Sequence, residues 1–311
     1  MVATAEKSNL SVMSRLVNGI LSVKPLANFA KHQARQMMIE RAERLGVPWR
    51  EEAAALRSQN LETEFDRLAN PNLTYPDYYL TSFHAYETGN LNWEAATELE
   101  VAAKAVHAKI WPEAGAKGDA KLRQSYHDIV SQQLPNPPKD IVDLGCGVGL
   151  STFALQATYP NAQISGVDLS PYFLAVAAHQ SQRRDLEASP PIRWVHAAAE
   201  NTELPAASFD FVSLFLVCHE LPQAATRAIL QEAKRLLRPT GHLGIMEMNP
   251  QSQAFAKMPT YVFTLLKSTE PWLDEYFSLD LPEAMVSAGF NQPTIEINSP
   301  RHRTVIASVK S

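Results

Sequence analysis

The stretch Ile141-Val-Asp-Leu-Gly-Cys-Gly-Val-Gly149 has the residue types of a strand that runs into a glycine turn and opens a helix. Gly145 and Gly147 let the backbone turn sharply and approach a ligand with no Cβ in the way. The following helix presents free N–H groups and the positive end of its dipole, which suits a carboxylate or a phosphate. The spacing reads GxGxG, with Leu150 where the dinucleotide fingerprint GxGxxG has its third glycine. A second acid follows in register. Asp168 lies in Ile164-Ser-Gly-Val-Asp-Leu-Ser170, 19 positions after Gly149 (168 − 149). A carboxylate there can accept hydrogen bonds from both ribose hydroxyls of an adenosine. One further group suits proton transfer: His219, just beyond the apolar run Phe209-Asp-Phe-Val-Ser-Leu-Phe-Leu-Val217.

These residues need a scaffold that brings strand ends together. From Asp140 onward short apolar runs alternate with helical windows, which argues for a parallel sheet with helices on both faces. The runs are IVDLG, AQISGVDL, IRWVHA, FDFVSLFLV and HLGIMEM. In the window 223–238, Ile229, Leu230, Ala233, Leu236 and Leu237 recur at helical spacing, and Arg-Pro-Thr-Gly follows as a stop signal. Two last strands, PTIEINS and RTVIASVK, have too short a link at Pro300 for a crossover helix, so they are antiparallel neighbours. The expected fold is α/β: a Rossmann-like, mostly parallel, seven-stranded sheet with an antiparallel C-terminal hairpin, preceded by a helical extension. Residues 1–118 form that N-terminal region and 119–311 the ligand-binding domain, with a helical insertion near 252–277.

The chain has 311 residues, 45% of them hydrophobic and 20% charged, as in ordinary globular proteins. A net charge of −5 gives no support for a nucleic-acid partner. Cys146 and Cys218 cannot form a disulfide framework, and with no CxxC or Cys/His ligand spacing no metal site is expected. A cytoplasmic location follows from the cysteine usage and from the lack of a signal-like start or an apolar run of spanning length. Residues 10–46 read as an amphipathic helix, with Leu16, Val17, Ile20, Leu21, Phe29 and Ala30 at helical spacing. Its Arg15, Lys24, Lys31, Arg35, Arg41 and Arg44 face only Glu40 and Glu43. Such a helix either packs on the domain or lies peripherally on an anionic membrane surface.

Residues 120 to 311 resemble the class I methyltransferases that use S-adenosyl-L-methionine. The acid of their first motif matches Asp143, their glycine turn Gly145, Cys146, Gly147 and Gly149, and their ribose-binding acid Asp168 followed by Leu169. Their third segment reads Asp-Ala-Glu, then Leu-Pro and Ser-Phe-Asp; here it is Ala198-Ala199-Glu200, Leu204-Pro205 and Ser208-Phe209-Asp210. The adenine-contacting acid is thus replaced by Ala198, and either Glu200 or backbone N–H groups recognise the adenine, beside Ala199. His219-Glu-Leu-Pro222, RLLRPTG and Met248-Asn-Pro250 look most like cyanobacterial and plastid relatives of quinone-biosynthesis C-methyltransferases, as do Lys267-Ser-Thr-Glu-Pro and Ser299-Pro-Arg-His-Arg-Thr304.

The resemblance implies in-line methyl transfer, in which the protein aligns three atoms and excludes water. His219, with an unperturbed pKa near 6.5, is the candidate base for a phenol or an activated ring carbon, and Glu220 either orients it or caps the next helix. Tyr79, His84 and Tyr86 in the aromatic stretch 75–86 are the candidate substrate contacts, and the insertion is a candidate apolar wall. Both favour a small, lipophilic or aromatic acceptor, with O- and C-methylation left open. Oligomeric state is not legible. Two other readings stand beside this one: an NAD(P)-dependent oxidoreductase, disfavoured by the glycine spacing and the hairpin, and a non-catalytic S-adenosylmethionine-binding regulator.

Overall fold

The structure, a computed structural model, describes residues 24–84, 86–184 and 189–310. The N-terminal region contributes α1 (Lys24–Arg44), α2 (Trp49–Arg57), α3 (Glu62–Leu68) and α4 (Trp93–His107), followed by α5 (Gly118–Gln133). Asn92 caps α4 by accepting the Ala95 amide at 2.8 Å. Ile39 and Ala42 of α1 are buried with Trp49 and Ala53 of α2 and with Val101 and Ala105 of α4. Arg35 pairs with Glu94 at 2.7 Å and with Glu98, so this part of the basic helix docks on α4. Arg15, Leu16, Val17, Ile20 and Leu21 lie outside the described residues, as do the side chains of Lys24, Phe29, Ala30 and Lys31. No described helix is long and apolar enough to cross a membrane.

The sheet is built from β1 (Asp140–Leu144), α6 (Leu150–Thr158), β2 (Gln163–Asp168), α7 (Pro171–Gln182), β3 (Arg193–His196) and β4 (Phe209–Phe215). Next come α8 (Gln223–Leu236), β5 (Leu237–Met248), α9 (Gln253–Ala256), α10 (Thr260–Thr269), α11 (Leu273–Ser278), α12 (Leu281–Ser287), β6 (Thr294–Ile297) and β7 (His302–Ser308). The strand order is β3-β2-β1-β4-β5-β7-β6. The first five strands are parallel, and β7 enters antiparallel between β5 and β6. The expected seven-stranded sheet with its antiparallel hairpin is therefore present.

Strand alternation divides two cores. Val142, Leu144, Val212, Leu214 and Ile245 face a core with Ile229, Ala233 and Leu236 of α8 and Met285 of α12. Ile141, Phe211, Phe215 and Met246 face the other, with Leu122, Tyr126 and Val130 of α5 and Leu155 of α6. The Tyr126 hydroxyl donates to the Gly244 carbonyl at 3.0 Å, and a Cβ on Gly244 would stand 2.7 Å from that hydroxyl. This contact locks α5 to the sheet.

One local expectation differs. The helix stops at Leu236, just before Arg-Pro-Thr-Gly, but Leu237 and Arg238, counted in its window, open β5, with Leu237 paired to Phe209. The register then shifts and resumes at Phe211 opposite His242, so a strand irregularity absorbs the proline and glycine. The helical insertion consists of three short helices, α9 to α11.

Candidate active site

The parallel strands end at one edge, where an open α/β sheet binds its ligands. A cavity of about 790 Å³ runs along it, near the upper end of the usual range of about 300–1,000 Å³ for small-molecule sites. Gly145, Gly147 and Gly149 all take left-handed φ values, +71°, +56° and +85°. The turn brings the Gly145 amide to the Val167 carbonyl at 2.8 Å and starts α6 at Leu150.

Asp168 lines the cavity beside this turn. Its two oxygens accept the Gly147 amide at 2.8 Å and the Ser170 amide at 2.7 Å, so the acid fastens the glycine loop to β2. Burial raises its pKa to about 6 against the pull of those amides. Leu169, Cys146, Ala199 and Glu200 line the same cavity. Asp143 does not lie there. It is wholly buried beneath the loop, accepting the hydroxyls of Ser151 at 2.6 Å and Thr152 at 2.7 Å, and burial raises its pKa. Asp143 thus ties β1 to the first turn of α6.

Glu200 accepts the Tyr78 hydroxyl at 2.7 Å through Oε1, while its buried Oε2 has no hydrogen-bond partner among the described residues. The segment holding Tyr78 crosses the sheet edge. The Asn70 amide bonds His196 Nδ1 at 2.7 Å, the Ser170 hydroxyl donates to the Asn90 carbonyl at 2.7 Å, and the His84 amide reaches the Thr269 carbonyl at 3.1 Å. It is mostly irregular backbone with a 3-10 turn at Asp77–Tyr79, not a docking helix. Tyr79, His84 and Tyr86 all line the cavity. Burial, then the charges of Asp168 and Glu220, hold the Tyr79 hydroxyl well above its usual pKa. The Tyr86 hydroxyl is committed to Glu98 at 2.6 Å, so only its ring is offered to the cavity.

At the end of β4, Leu216 takes a left-handed φ of +58° and its amide bonds the Met246 carbonyl at 2.9 Å. The chain then enters a 3-10 turn, Cys218–Glu220, which carries His219 against β5. His219 Nδ1 lies 3.0 and 3.1 Å from the two carboxylate oxygens of Glu247. A carboxylate only accepts, so Nδ1 carries the proton and Nε2 is the nitrogen left for chemistry. Burial opposes a charge on His219, but Glu247, Glu270 and Glu220 outweigh it and raise the pKa to about 10. The expectation of a value near 6.5 is corrected: this imidazole is cationic at neutral pH until further positive charge enters the site.

Glu220 has neither role foreseen for it. Its Oε1 is 4.0 Å from His219 Nε2, while the Gln223 amide at the start of α8 is capped by Glu275 at 2.8 Å. Glu220 does line the cavity, and burial raises its pKa against the charges of His84 and His219. Glu247 was missed from the sequence. Its signal is a lone acid in the apolar run Leu243-Gly-Ile-Met-Glu-Met248, where an ionised side chain needs a buried partner. Cys218 is a core residue, and Cys146 is a buried thiol whose pKa burial raises, so neither is a nucleophile. From the insertion, Phe255, Met258, Val262 and Leu266 supply the apolar wall.

Residues 141–241 match the family model described as a methyltransferase domain. The malonyl-[acyl-carrier protein] O-methyltransferase of Hahella chejuensis is 34% identical over 37% of this chain and 38% of its own length. The demethylmenaquinone methyltransferase of Thermus thermophilus is 31% identical over 42% of this chain and 56% of its own. The chain thus spans less than two thirds of either relative. Among solved structures, the CurJ carbon methyltransferase superimposes with a TM-score of 0.53 at 14% identity, covering 85% of this chain and 71% of that one, a likeness of fold. Residues 141–241 are thus similar to a methyltransferase domain, and the seven-stranded sheet around them has the fold of such enzymes. The cofactor that such a domain implies is S-adenosylmethionine. The residues fit that molecule: a glycine loop at a helix start, Asp168 at the cavity wall, and a cavity-lining Glu200 with one buried, unpartnered oxygen.

Proposed function

We propose that this protein transfers the methyl group of S-adenosylmethionine to a small, apolar acceptor carrying an acidic O–H or C–H, with His219 handling the acceptor's proton. The observation that carries the reading is His219 at the cavity wall, held from behind by buried Glu247, in a cavity that Phe255, Val262 and Leu266 also line. Asp168 and Glu200 hold the adenosine at its ribose hydroxyls and its amine, and the glycine loop accommodates the amino-acid end. The cofactor supplies an electrophilic methyl and a sulfonium charge. With that charge bound in the same cavity, His219 would favour its neutral form and could accept the proton at Nε2, while Glu247 would stabilise the resulting imidazolium. Tyr79, the ring of Tyr86 and the insertion exclude water from the line of displacement. The relatives' names, one a malonyl-[acyl-carrier protein] O-methyltransferase and one a demethylmenaquinone methyltransferase, are compatible with an O–H or a C–H acceptor. The oxidoreductase reading is not favoured by these matches.

Calorimetric titration with S-adenosylhomocysteine, repeated on Asp168→Ala and run beside NADH, tests the cofactor. Saturable binding that drops in the variant, with none for NADH, is the expected result; NADH binding alone overturns the reading. Consumption of S-adenosylmethionine across a panel of phenols, quinols and β-dicarbonyls then tests turnover, and its absence across such a panel favours a non-catalytic cofactor-binding protein.

A further inference from the structure

Three groups beside His219 have no part in the scheme above: His84, Glu220 and Glu270. We propose that they bind one divalent first-row transition cation, of the Mn²⁺ or Zn²⁺ type, at the acceptor end of the cavity.

The separations are those of ligands around one ion. His84 Nε2 stands 2.8 Å from Glu270 Oε1 and 3.6 Å from Glu220 Oε1, and one ligand atom from each residue lies within 4.8 Å of the others. Two donors each about 2.1 Å from a metal, at octahedral or tetrahedral angles, stand roughly 3.0–3.4 Å apart. A direct imidazole–carboxylate ion pair explains the shorter distance, and Glu220 converges on the same nitrogen at a separation that one shared ion also fits.

A second observation points to a missing positive partner. Glu270 is 6% exposed, and its buried Oε2 has no hydrogen-bond partner among the described residues. A carboxylate oxygen left bare in the interior carries its full desolvation cost. Glu247 lies close by through His219, so three carboxylates share a pocket with two imidazoles. A dication relieves that crowding.

The ligands are also held before any ion arrives. His84 sits in the left-handed region at φ +49°, and its amide is bonded to the Thr269 carbonyl, one residue before Glu270. The N-terminal segment and the insertion are thereby placed in register, and Glu220 completes the set from the turn after β4. The three ligands come from segments far apart in the chain, which is why no ligand spacing is visible in the sequence. One imidazole and two carboxylates form a nitrogen–oxygen donor set that suits Mn²⁺, Fe²⁺ or Zn²⁺. Three protein ligands leave positions open toward the cavity, where an acceptor's phenolic or carbonyl oxygen would bind and lose its proton more readily. That use of the ion rests on the methyl-transfer reading; its binding does not.

The test uses the full chain, stripped with a chelator and titrated with Mn²⁺ while electron paramagnetic resonance counts the free aqueous ion. One site per chain is expected, weakened about tenfold or more in His84→Ala and in Glu270→Gln. S-adenosylhomocysteine binding by both variants shows that they are folded. No saturable uptake of Mn²⁺ or Zn²⁺ by the wild type overturns the proposal, as does undiminished uptake by both variants, which would leave a plain His84–Glu270 ion pair. Uptake of the ion without any binding of S-adenosylhomocysteine would instead count against the methyl-transfer reading and leave the metal site standing.

Discussion

Glu247, fully buried on β5, receives the His219 imidazole at 3.0 Å, the His219 amide at 3.2 Å and the Met248 amide at 2.8 Å. Four lone-pair sites on one carboxylate are thus largely spent on His219 and on Met248, the next residue of the strand. The arrangement fixes both the position of the ring and its tautomer, since an N–H must point at each occupied site. It also explains why an acid is tolerated inside an otherwise apolar strand.

Replacing Glu247 with Gln presents an amide that can donate to Nδ1, which moves the ring proton to Nε2 and removes the free lone pair. Turnover is expected to fall by about 10²-fold or more, as when an orienting carboxylate is made an amide in a triad. His219→Ala should lose about 10²–10⁴-fold. Both should bind S-adenosylhomocysteine as the wild type does, and nitrogen NMR of the histidine in Glu247→Gln should report the changed tautomer. Unchanged turnover in His219→Ala would remove it from the reaction.

The carboxyl of Asp168 has a pKa of about 6 in the ligand-free protein because it is buried. Ribose hydroxyls donate best to the ionised form, so cofactor binding and proton binding compete there. Affinity for S-adenosylhomocysteine should hold steady above pH 7 and fall by up to about tenfold per unit below pH 6. Loss of fold does not explain such a fall through this group: a folded pKa above the unfolded value makes its contribution to stability increase as pH drops. Calorimetry from pH 5 to 8 on wild type and Asp168→Asn checks it, and the variant should show a flat profile.

What could be read from the sequence is what depends on short stretches of chain. The glycine loop needs its φ values within five residues, Asp168 follows in register on the next strand, and the link at Pro300 forces the hairpin. His219 was visible through its place after β4. Its partner was not, because Glu247 meets it only through the β4–β5 pairing, 28 positions away (247 − 219). Tyr78 holds Glu200 while its neighbour Tyr79 faces Asp168 and Glu220, and an irregular segment has no periodicity to separate the two. Leu237 was counted with the helix for a related reason: its helical spacing was overridden by pairing with Phe209.

Glu200 replaces the missing acid at Ala198 only if its free Oε2 meets the adenine amine. The 6-oxo analogue of S-adenosylhomocysteine turns that donor into an acceptor facing a carboxylate. The wild type should discriminate against it by about ten- to a hundredfold. Glu200→Gln, which can offer an N–H instead, should bring the two ligands close to parity. Equal binding of both ligands by the wild type would show that backbone groups read the adenine.

Gly145 meets two separate constraints, and they can be separated experimentally. Its φ of +71° costs an L-residue about 1–2 kcal/mol, and a Cβ there would lie 2.7 Å from Val217 Cγ2. Gly145→Ala should therefore lower the melting temperature by a few degrees and weaken S-adenosylhomocysteine binding, because Val217 shares the cavity wall with the glycine loop. Adding Val217→Ala removes the steric clash and leaves the backbone strain. If the double variant recovers cofactor affinity but not thermal stability, the glycine is required at this position for its conformation, and the close approach of Val217 is a consequence of the turn. Recovery of both would mean that the loop tolerates an L-residue and that space beside Val217 alone demands a glycine.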